Sequence, residues 1–544
     1  MVRSLGDLGK GSREGPSDPA VEGESMAEAP YLMGIDFGTG GVRVGLFDRE
    51  GSPAVFRAVE FTTSHPQPGW AEQDPGAWWS CLAQATRGAL EESGVPAGEI
   101  AGISVDATAS TVVATDADGR HLRPAIMWMD VRAADQARRV QETGDPALKY
   151  NGFGAVSAEF GLPKALWLKE NEPETWDGAA RIGECADWAI QRLTGEATTS
   201  VNTASGKYYY DRDQGGFPVS LYEAVGVEDL LEKTPQQVLD LGAAVGELTK
   251  EAADELGLEA GTPVAEGGID AHVGALGLGV VSPGMLALIT GSSHVIIGQA
   301  AAAIHDPGFW GAYTDAIIPG QYTVEAGQAS TGSVVAWFKD NFAGGAANEA
   351  AERGVDPYVV LNELAAEVPV GSEGLVVLDY FQGNRSPYTD PHARGLISGL
   401  SLRHGPGHVF RAILEGICFG TELIFRTLRR HDFELRSIVA AGGATRSDLW
   451  MRLHADVANV PISITREPEA PVLGAAMLAA VGAGIHPDVR AAAAEMVHVE
   501  RTIDPDQGRH EQYAFFMDRY TELYPLVKET MHQVTRHVAG GERP

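Results

Sequence analysis

Apolar and polar positions first alternate regularly at Tyr31. The run YLMGIDFGTGGVRVGLFDREG predicts a buried strand, a glycine-rich turn and a second strand, together a β-hairpin. DPGAWWSCLAQATRGALEESG then changes to a helical period, with Trp79, Leu82, Ala83 and Leu90 near one face. IAGISVDATASTVVATDADG returns to strand, turn and strand, and helices alternate with loops as far as about Gly195, GLPKALWLKENEP among them. After the turn-rich LEAGTPVAEGG, the run GMLALITGSSHVIIGQA from Gly284 to Ala300 repeats the pattern of the Tyr31 hairpin without its sequence. This degenerate repeat predicts two α/β domains, each opening on a glycine-turned hairpin. Further on, GHVFRAILEGICFGTELIFRTLRRH predicts a long amphipathic helix, and RSDLWMRLHADVAN and PVLGAAMLAAVGAG predict two more. In the closing stretch Tyr513, Phe516, Tyr520 and Leu523 fall at helical spacing, which reads as packing.

Length agrees with that division, since 544 residues exceed what one core commonly serves. The first thirty residues are polar and rich in Gly, Pro and Glu, with no apolar stretch of the signal-peptide kind. They are expected to be disordered, with Met26 an alternative start. The formal net charge of −33 disfavours nucleic acid and anionic membranes as partners, while backbone amides can still bind a small anion locally. Cys81, Cys185 and Cys418 lie far apart, as expected for reduced thiols in a cytoplasmic protein. The most apolar stretch, GALGLGVVSPGMLALITG, is broken by Gly and Pro, so no membrane span is expected.

The candidate chemistry sits in three glycine turns and one acidic residue. In GIDFGTGGVR, Gly38, Gly40 and Gly41 let backbone amides approach phosphate oxygens, Thr39 adds a hydroxyl, and Asp36 is placed to hold Mg2+ directly or through water. An ordinary hairpin turn explains the same residues equally well. LITGSSH offers Thr290, Gly291, Ser292 and Ser293 as a second such turn, and with the first it makes a two-sided phosphate clamp. VAAGGATRSDLW places Gly442, Gly443 and Ala444 between a strand and a helix capped near Ser447. A flat nucleobase or ribose fits against such a backbone, and a turn needing positive φ fits too. Asp270, in AEGGIDAHVGALGLG, is either a turn or helix cap or a catalytic base where backbones approach closely.

These turns, in this order, resemble those of the FGGY carbohydrate kinases, from Tyr31 to the C-terminal helix. GLISGLSLRHGPGHVFRAILE fits that family's C-terminal pattern, and LPKALWLKEN, with Lys164 and Trp167, its N-terminal one. GWAEQDPGAWW and AIMWMDVRA also look familial. The F-G-G-Y tetrapeptide itself is absent, and Arg452 stands where relatives often carry Gln. The resemblance implies two actin-like ATPase (ribonuclease H-like) domains with the active site in the cleft between them. The expected boundaries are 31–273 for the N-terminal domain and 274–530 for the ATP-binding C-terminal domain, with a tail over 531–544. ATP and Mg2+ are the implied cofactors, a small sugar the implied partner, and a homodimer is compatible.

Within the family, DATAST, SGKYYY, GGIDAHVGALGLG and VEAGQAS are most similar to the ribulokinase (pentulose kinase) group. That similarity implies a sugar held by Ala109, Lys207, Asp270 and Glu325. On residue type alone, Lys207 also suits a surface position, Glu325 a structural ion pair, Asp106 a loop support and His272 a satisfied core histidine. Asp130 and Arg132 read as a structural pair. The implied reaction passes the γ-phosphate of ATP to a ketose hydroxyl, ribulose first, with xylulose, a tetrulose or another polyol as alternatives. Asp270 would take the hydroxyl proton, for which an ordinary carboxylate pKa suffices. A non-catalytic actin-like or chaperone-like ATPase switch is the alternative of another class; it needs the phosphate turns and no sugar set.

Overall fold

The structure, a computed structural model, describes residues 28–539. Met26 and most of the segment expected to be disordered lie outside the described residues, as do residues 540–544.

Two large mixed sheets carry the architecture. The first has six strands, in the order Ala244–Glu247, Pro263–Ile269, Ile100–Ala107, Tyr31–Phe37, Gly41–Phe47 and Pro53–Glu60. The second has seven, in the order Trp310–Thr314, Tyr322–Gln328, His294–Ala300, Met285–Thr290, Ser437–Gly442, Ile462–Thr465 and Val499–Ile503. In each sheet a glycine-turned hairpin extends into an antiparallel three-strand meander, and the hairpin's first strand takes a parallel neighbour on its other side. That neighbour in turn takes a second parallel strand. Without their added edge strands the two sheets share one topology. The repeat inferred from pattern is therefore a repeat of fold.

After the last parallel strand of each sheet comes a helix rich in small residues, Asp270–Gly277 and Ala470–Gly482. The two helices cross at backbone contact. A Cβ on Gly277 would lie 1.9 Å from the Ala470 carbonyl oxygen, and one on Gly474 would lie 2.1 Å from that of Val273. Glycine is needed here for space. The second helix also lies on the first sheet, where a Cβ on Gly34 would meet the Val472 carbonyl oxygen at 1.9 Å. A helix of the C-terminal half thus completes the core of the N-terminal one. Overpacking of this kind costs about 1–3 kcal/mol. Gly474→Val is accordingly expected to lower the thermal midpoint clearly, whereas Ala substitution at Gly484, where a Cβ meets no atom within 4 Å but φ is +73°, should cost less.

The helix Pro406–Arg429, expected to be amphipathic, is buried on nearly all sides because the final helix Gln507–Ala539 covers it. Its polar residues are paired inside: Arg411 Nε donates to Glu415 Oε1 at 2.9 Å and its Nη2 to the Tyr513 hydroxyl at 2.9 Å. Tyr513 and Tyr520 pack inward as the spacing predicts, with Phe516 and Leu523 half-buried against the same core. That final helix runs on without a break through residues 531–539, which the sequence reading set apart as a tail.

A further lobe grows from the first half. Its four-stranded sheet joins Glu72–Gln73, Ala125–Ile126, Val112–Thr115 and Arg181–Glu184, and its core includes Leu148, Phe160, Leu166 and Tyr222. Tyr313 and Ala316 from the second half enter the same core. The lobe thus spans from one half to the other beside the cleft. Here the Arg132 side chain is fully buried, bonded twice to Asp130 (2.9 and 2.7 Å) and stacked over Trp70, the structural pair expected.

Candidate active site

Ala109, Lys207, Asp270 and Glu325, scattered along the chain, line one cavity of about 310 Å³. Each arrives by a different element. Lys207 stands at the end of the helix Val201–Tyr208, Asp270 at the junction of strand Pro263–Ile269 with its helix, and Glu325 on strand Tyr322–Gln328. Thr39 and Ser293 reach the same cavity from the two hairpin turns.

Asp270 is the first helical residue and does not cap the helix; Ile269 occupies the cap position. Its Oδ1 accepts from the Ala271 N–H at 2.6 Å, and Oδ2 has no hydrogen-bond partner among the described residues. Burial, reinforced by the Asp36 charge and opposed by the Ala271 N–H and Arg43, pushes its carboxyl up to about 7. An ordinary carboxylate pKa suffices for a base here, and this group lies above it because the surrounding protein and the nearby Asp36 disfavour its charge.

Glu325 is tuned the other way. Burial raises it, yet the Lys207 charge above all, with Arg385 behind it, holds it down at about 2. Its Oε2 lies 3.7 Å from Lys207 Nζ and 3.8 Å from His272 Nε2. Lys207 is not a surface residue; its side chain is 9% exposed and its ammonium lies over the Phe160 ring. One wall therefore offers a cation and a permanent anion, the donors and acceptors a polyol demands.

Asp36 and Asp106 face each other from register-paired positions on parallel strands, both fully buried. Arg43, opposite Asp36 on the hairpin, forms an ion pair with it and donates to Glu469 at 2.8 Å. Burial and the Asp36 charge push Asp106 well up, while burial raises Asp36 against the pull of Arg43. Asp106 belongs to this buried pair and is no loop support. Apart from Arg43 and one another, the two carboxyls have no side-chain partner among the described residues. Carboxylate oxygens are the hard donors a divalent cation or its hydration shell takes, and Arg43 already occupies one side of Asp36, the residue expected to hold one.

A second cavity, of about 540 Å³, opens beside the first. Val335, Val359, Phe410, Leu414 and Trp450 make its apolar walls, and Gly291, Gly443 and Ala444 form part of its rim. Its size and apolar lining suit a nucleoside. The turn after Met285–Thr290 joins the two cavities, since Gly291 lines this one and Ser293 the other. Arg452 is exposed on the helix Asp448–Ala458 and lies outside the lining.

The glycines of the turns divide into two kinds. Gly442 has φ +91°, and a Cβ there would meet the Thr290 carbonyl oxygen at 1.9 Å, so the fold itself requires it. Gly40 and Gly443 have no positive φ, and a Cβ on either would meet no atom within 4 Å. The turn geometry does not demand glycine at these two positions. The space beside them is open. Gly38 is similarly roomy, its nearest contact being Arg43 at 3.5 Å.

The hydroxyls also divide. Thr39 Oγ1 accepts from Trp128 Nε1 at 3.0 Å, which leaves its own proton to donate elsewhere. Thr290 Oγ1 donates to Ala441 O at 2.7 Å and accepts from Ala444 N at 3.1 Å. Its hydroxyl is committed to tying the second and third turns together, and Thr290 lines neither cavity. Ser292 lines neither cavity and uses its carbonyl to accept from Thr331 N and Ser333 N.

Sequence reasoning missed the aromatic walls Trp128, Phe160 and Trp310, and it missed Arg385, whose guanidinium lies 5.6 Å from the Trp310 ring centre. Trp128 lies within the familial AIMWMDVRA stretch and Phe160 two residues before LPKALWLKEN, the one signal that pointed toward them.

Comparison with known proteins agrees with this geometry. Residues 31–277 match the N-terminal domain, and residues 286–483 the C-terminal domain, of the FGGY family of carbohydrate kinases. A ribulokinase of Mycolicibacterium smegmatis is 35% identical over 531 residues, covering 91% of this chain and 93% of that protein. An FGGY carbohydrate kinase domain-containing protein of Xenopus laevis is 33% identical over 547 residues, covering 92% and 97%. Among solved structures, the xylulose kinase of Rhodospirillum rubrum superposes with a TM-score of 0.81 at 30% identity, covering 92% of this chain and all of that one.

Proposed function

The chain belongs to the FGGY family of carbohydrate kinases, and from that premise we propose that it passes the γ-phosphoryl group of ATP to a hydroxyl of a pentulose, ribulose in the first place. One observation carries the reading: Asp270, Lys207 and Glu325 converge on one cavity that a single turn, Thr290–Ser293, joins to a nucleoside-sized one. Phosphoryl transfer is mainly positioning and charge stabilisation, so a site that aligns acceptor and donor across one turn meets its chief demand.

Lys207 and Glu325 hold sugar hydroxyls, and Trp128, Phe160 and Trp310 cover the sugar's C–H faces. Asp270 takes the proton of the attacking hydroxyl on Oδ2, the oxygen left free. Thr39, accepting from Trp128, directs its own proton toward the transferring phosphoryl group. The open amide turns at Gly40 and Gly443 admit phosphate and nucleoside at backbone distance. A divalent ion carried in with the nucleotide would be held on Asp36, next to Asp106, and would neutralise phosphate charge.

The pH profile follows from the raised Asp270 carboxyl. Only its ionised form accepts a proton, and acid removes that form. With the group titrating at about 7, kcat/KM is expected to be level above that pH and to fall about tenfold per unit well below it. A profile level down to pH 5 would contradict the assignment of the base.

The identity of the sugar is tested by ADP release against a panel of pentuloses, tetruloses and polyols. Ribulose is expected to give the highest kcat/KM. Preference for xylulose, which the solved xylulose kinases bring into the panel, would replace ribulose and leave the chemistry intact. No stimulation by any of them would overturn the proposal.

A further inference from the structure

The short helix Val201–Tyr208 that carries Lys207 also carries a fully buried amide, Asn202, with three partners: one on a strand, one on a helix and one in a turn. Its Oδ1 accepts from the Ile269 N–H at 2.9 Å; its Nδ2 donates to the Ala316 carbonyl at 2.8 Å and lies 2.9 Å from His272 Nδ1. The first two partners leave no choice of orientation, because a backbone N–H only donates and a backbone carbonyl only accepts. The remaining amide hydrogen therefore goes to His272, and His272 Nδ1 must accept it.

An imidazole that accepts at Nδ1 and is neutral carries its proton at Nε2. That nitrogen is buried and has no hydrogen-bond partner among the described residues, and the same is true of Glu325 Oε2. The two atoms lie 3.8 Å apart. Donor and acceptor thus face each other at a distance that a small closure of the cleft converts into a hydrogen bond, as catalytic contacts do when substrate binds.

We propose that Asn202 is a positioning residue: it locks His272 in the Nε2–H tautomer, so that His272 orients the sugar-holding carboxylate of Glu325, and through Ile269 it fixes the backbone next to Asp270. One side chain then sets the base and the sugar carboxylate together, and its bond to Ala316 ties both to the second half of the molecule. Lys207 holds Glu325 by charge; His272 adds direction, which a point charge on a flexible stem does not supply. The satisfied core histidine expected from sequence is half of the finding, since one ring nitrogen is satisfied and the other is reserved for Glu325. This inference rests on the sugar-kinase reading of the cavity.

The test has one arm independent of turnover. Nitrogen-15 NMR of the full-length, histidine-labelled protein at pH 7.5, with the His272 signal assigned by its loss in His272→Gln, should show Nε2 protonated and Nδ1 bare. A proton on Nδ1, alone or with one on Nε2, overturns the proposal. The kinetic arm compares two replacements. His272→Gln can place an amide N–H near the Nε2 position and is expected to keep KM for the ketose within about threefold, while His272→Leu should raise it about tenfold or more with KM for ATP unchanged. Asn202→Asp, which cannot donate to Nδ1, should resemble the leucine variant. Equal KM values for the glutamine and leucine variants, with thermal midpoints alike, overturn the proposal and leave the kinase reading standing. If no ketose stimulates the parent enzyme, the kinase reading fails, and the NMR arm still decides the tautomer.

Discussion

Asp270→Ala is expected to lower kcat for ketose phosphorylation by about 10²–10⁴-fold, a loss of about 3–5 kcal/mol of transition-state stabilisation. The reason is local. Oδ2 is the free oxygen of a carboxyl whose other oxygen is held by the Ala271 N–H, so the group is fixed in direction before substrate arrives. Its pKa, pushed up to about 7, makes it a stronger base than an ordinary aspartate and leaves much of it ionised at neutral pH. Removing it should also let the Asp106 carboxyl ionise more readily, because the Asp270 charge helps to hold that group up. The variant should therefore fold at least as well as the parent and bind ATP with unchanged affinity. The second cavity, to which Asp270 does not contribute, explains that separation. Asp270→Asn keeps the shape and the Ala271 contact without the basicity, and it should be nearly as impaired. Calorimetric titration of nucleotide beside steady-state ADP release checks both halves. Substantial ketose kinase activity in either variant would remove Asp270 from the role of base.

What the sequence revealed of this arrangement follows the range of its signals. The two hairpins were legible because a strand–Gly–strand pattern is local and occurs twice. The crossing helix Ala470–Gly482 was legible as a helix, but nothing in PVLGAAMLAAVGAG says that it lies on the sheet of the other half; small residues permit close approach without naming a partner. The same limit hid the burial of Pro406–Arg429, which depends on a cover supplied by the last helix. At the site, Asp270, Lys207 and Glu325 were reached through family resemblance, since no spacing rule links residues so far apart in the chain. The shift of Asp270 was out of reach because it arises from burial and from Asp36 on another strand. Trp128, Phe160 and Trp310 were passed over because they lie far apart in the chain and no local pattern links them to one cavity. Thr290 was read as a phosphate ligand from its place in a turn, and only the geometry places its hydroxyl between Ala441 and Ala444.

Gly443→Val should separate the two explanations of a glycine turn that sequence left level. Had the turn needed glycine for its own conformation, a side chain there would destabilise the fold, as it must at the neighbouring Gly442, where φ is +91° and the Thr290 carbonyl oxygen stands 1.9 Å from the added carbon. At Gly443 the protein offers no atom within 4 Å and no positive φ. Valine should therefore fit the free protein with a change in stability of no more than about 0.5 kcal/mol, the usual range for a surface substitution. The cost falls on the ligand. Two methyl groups at the rim of the second cavity fill the space in which nucleoside lies against backbone, and a displaced nucleoside loses both its apolar contact and its alignment with Thr290–Ser293. KM for ATP is expected to rise about 100-fold, equivalent to about 3 kcal/mol, with KM for the ketose close to that of the parent. Gly442→Val, made alongside, should instead melt early. A Gly443 variant that melts as early as the Gly442 one would return this turn to a structural role, and one with unchanged KM for ATP would place the nucleoside elsewhere.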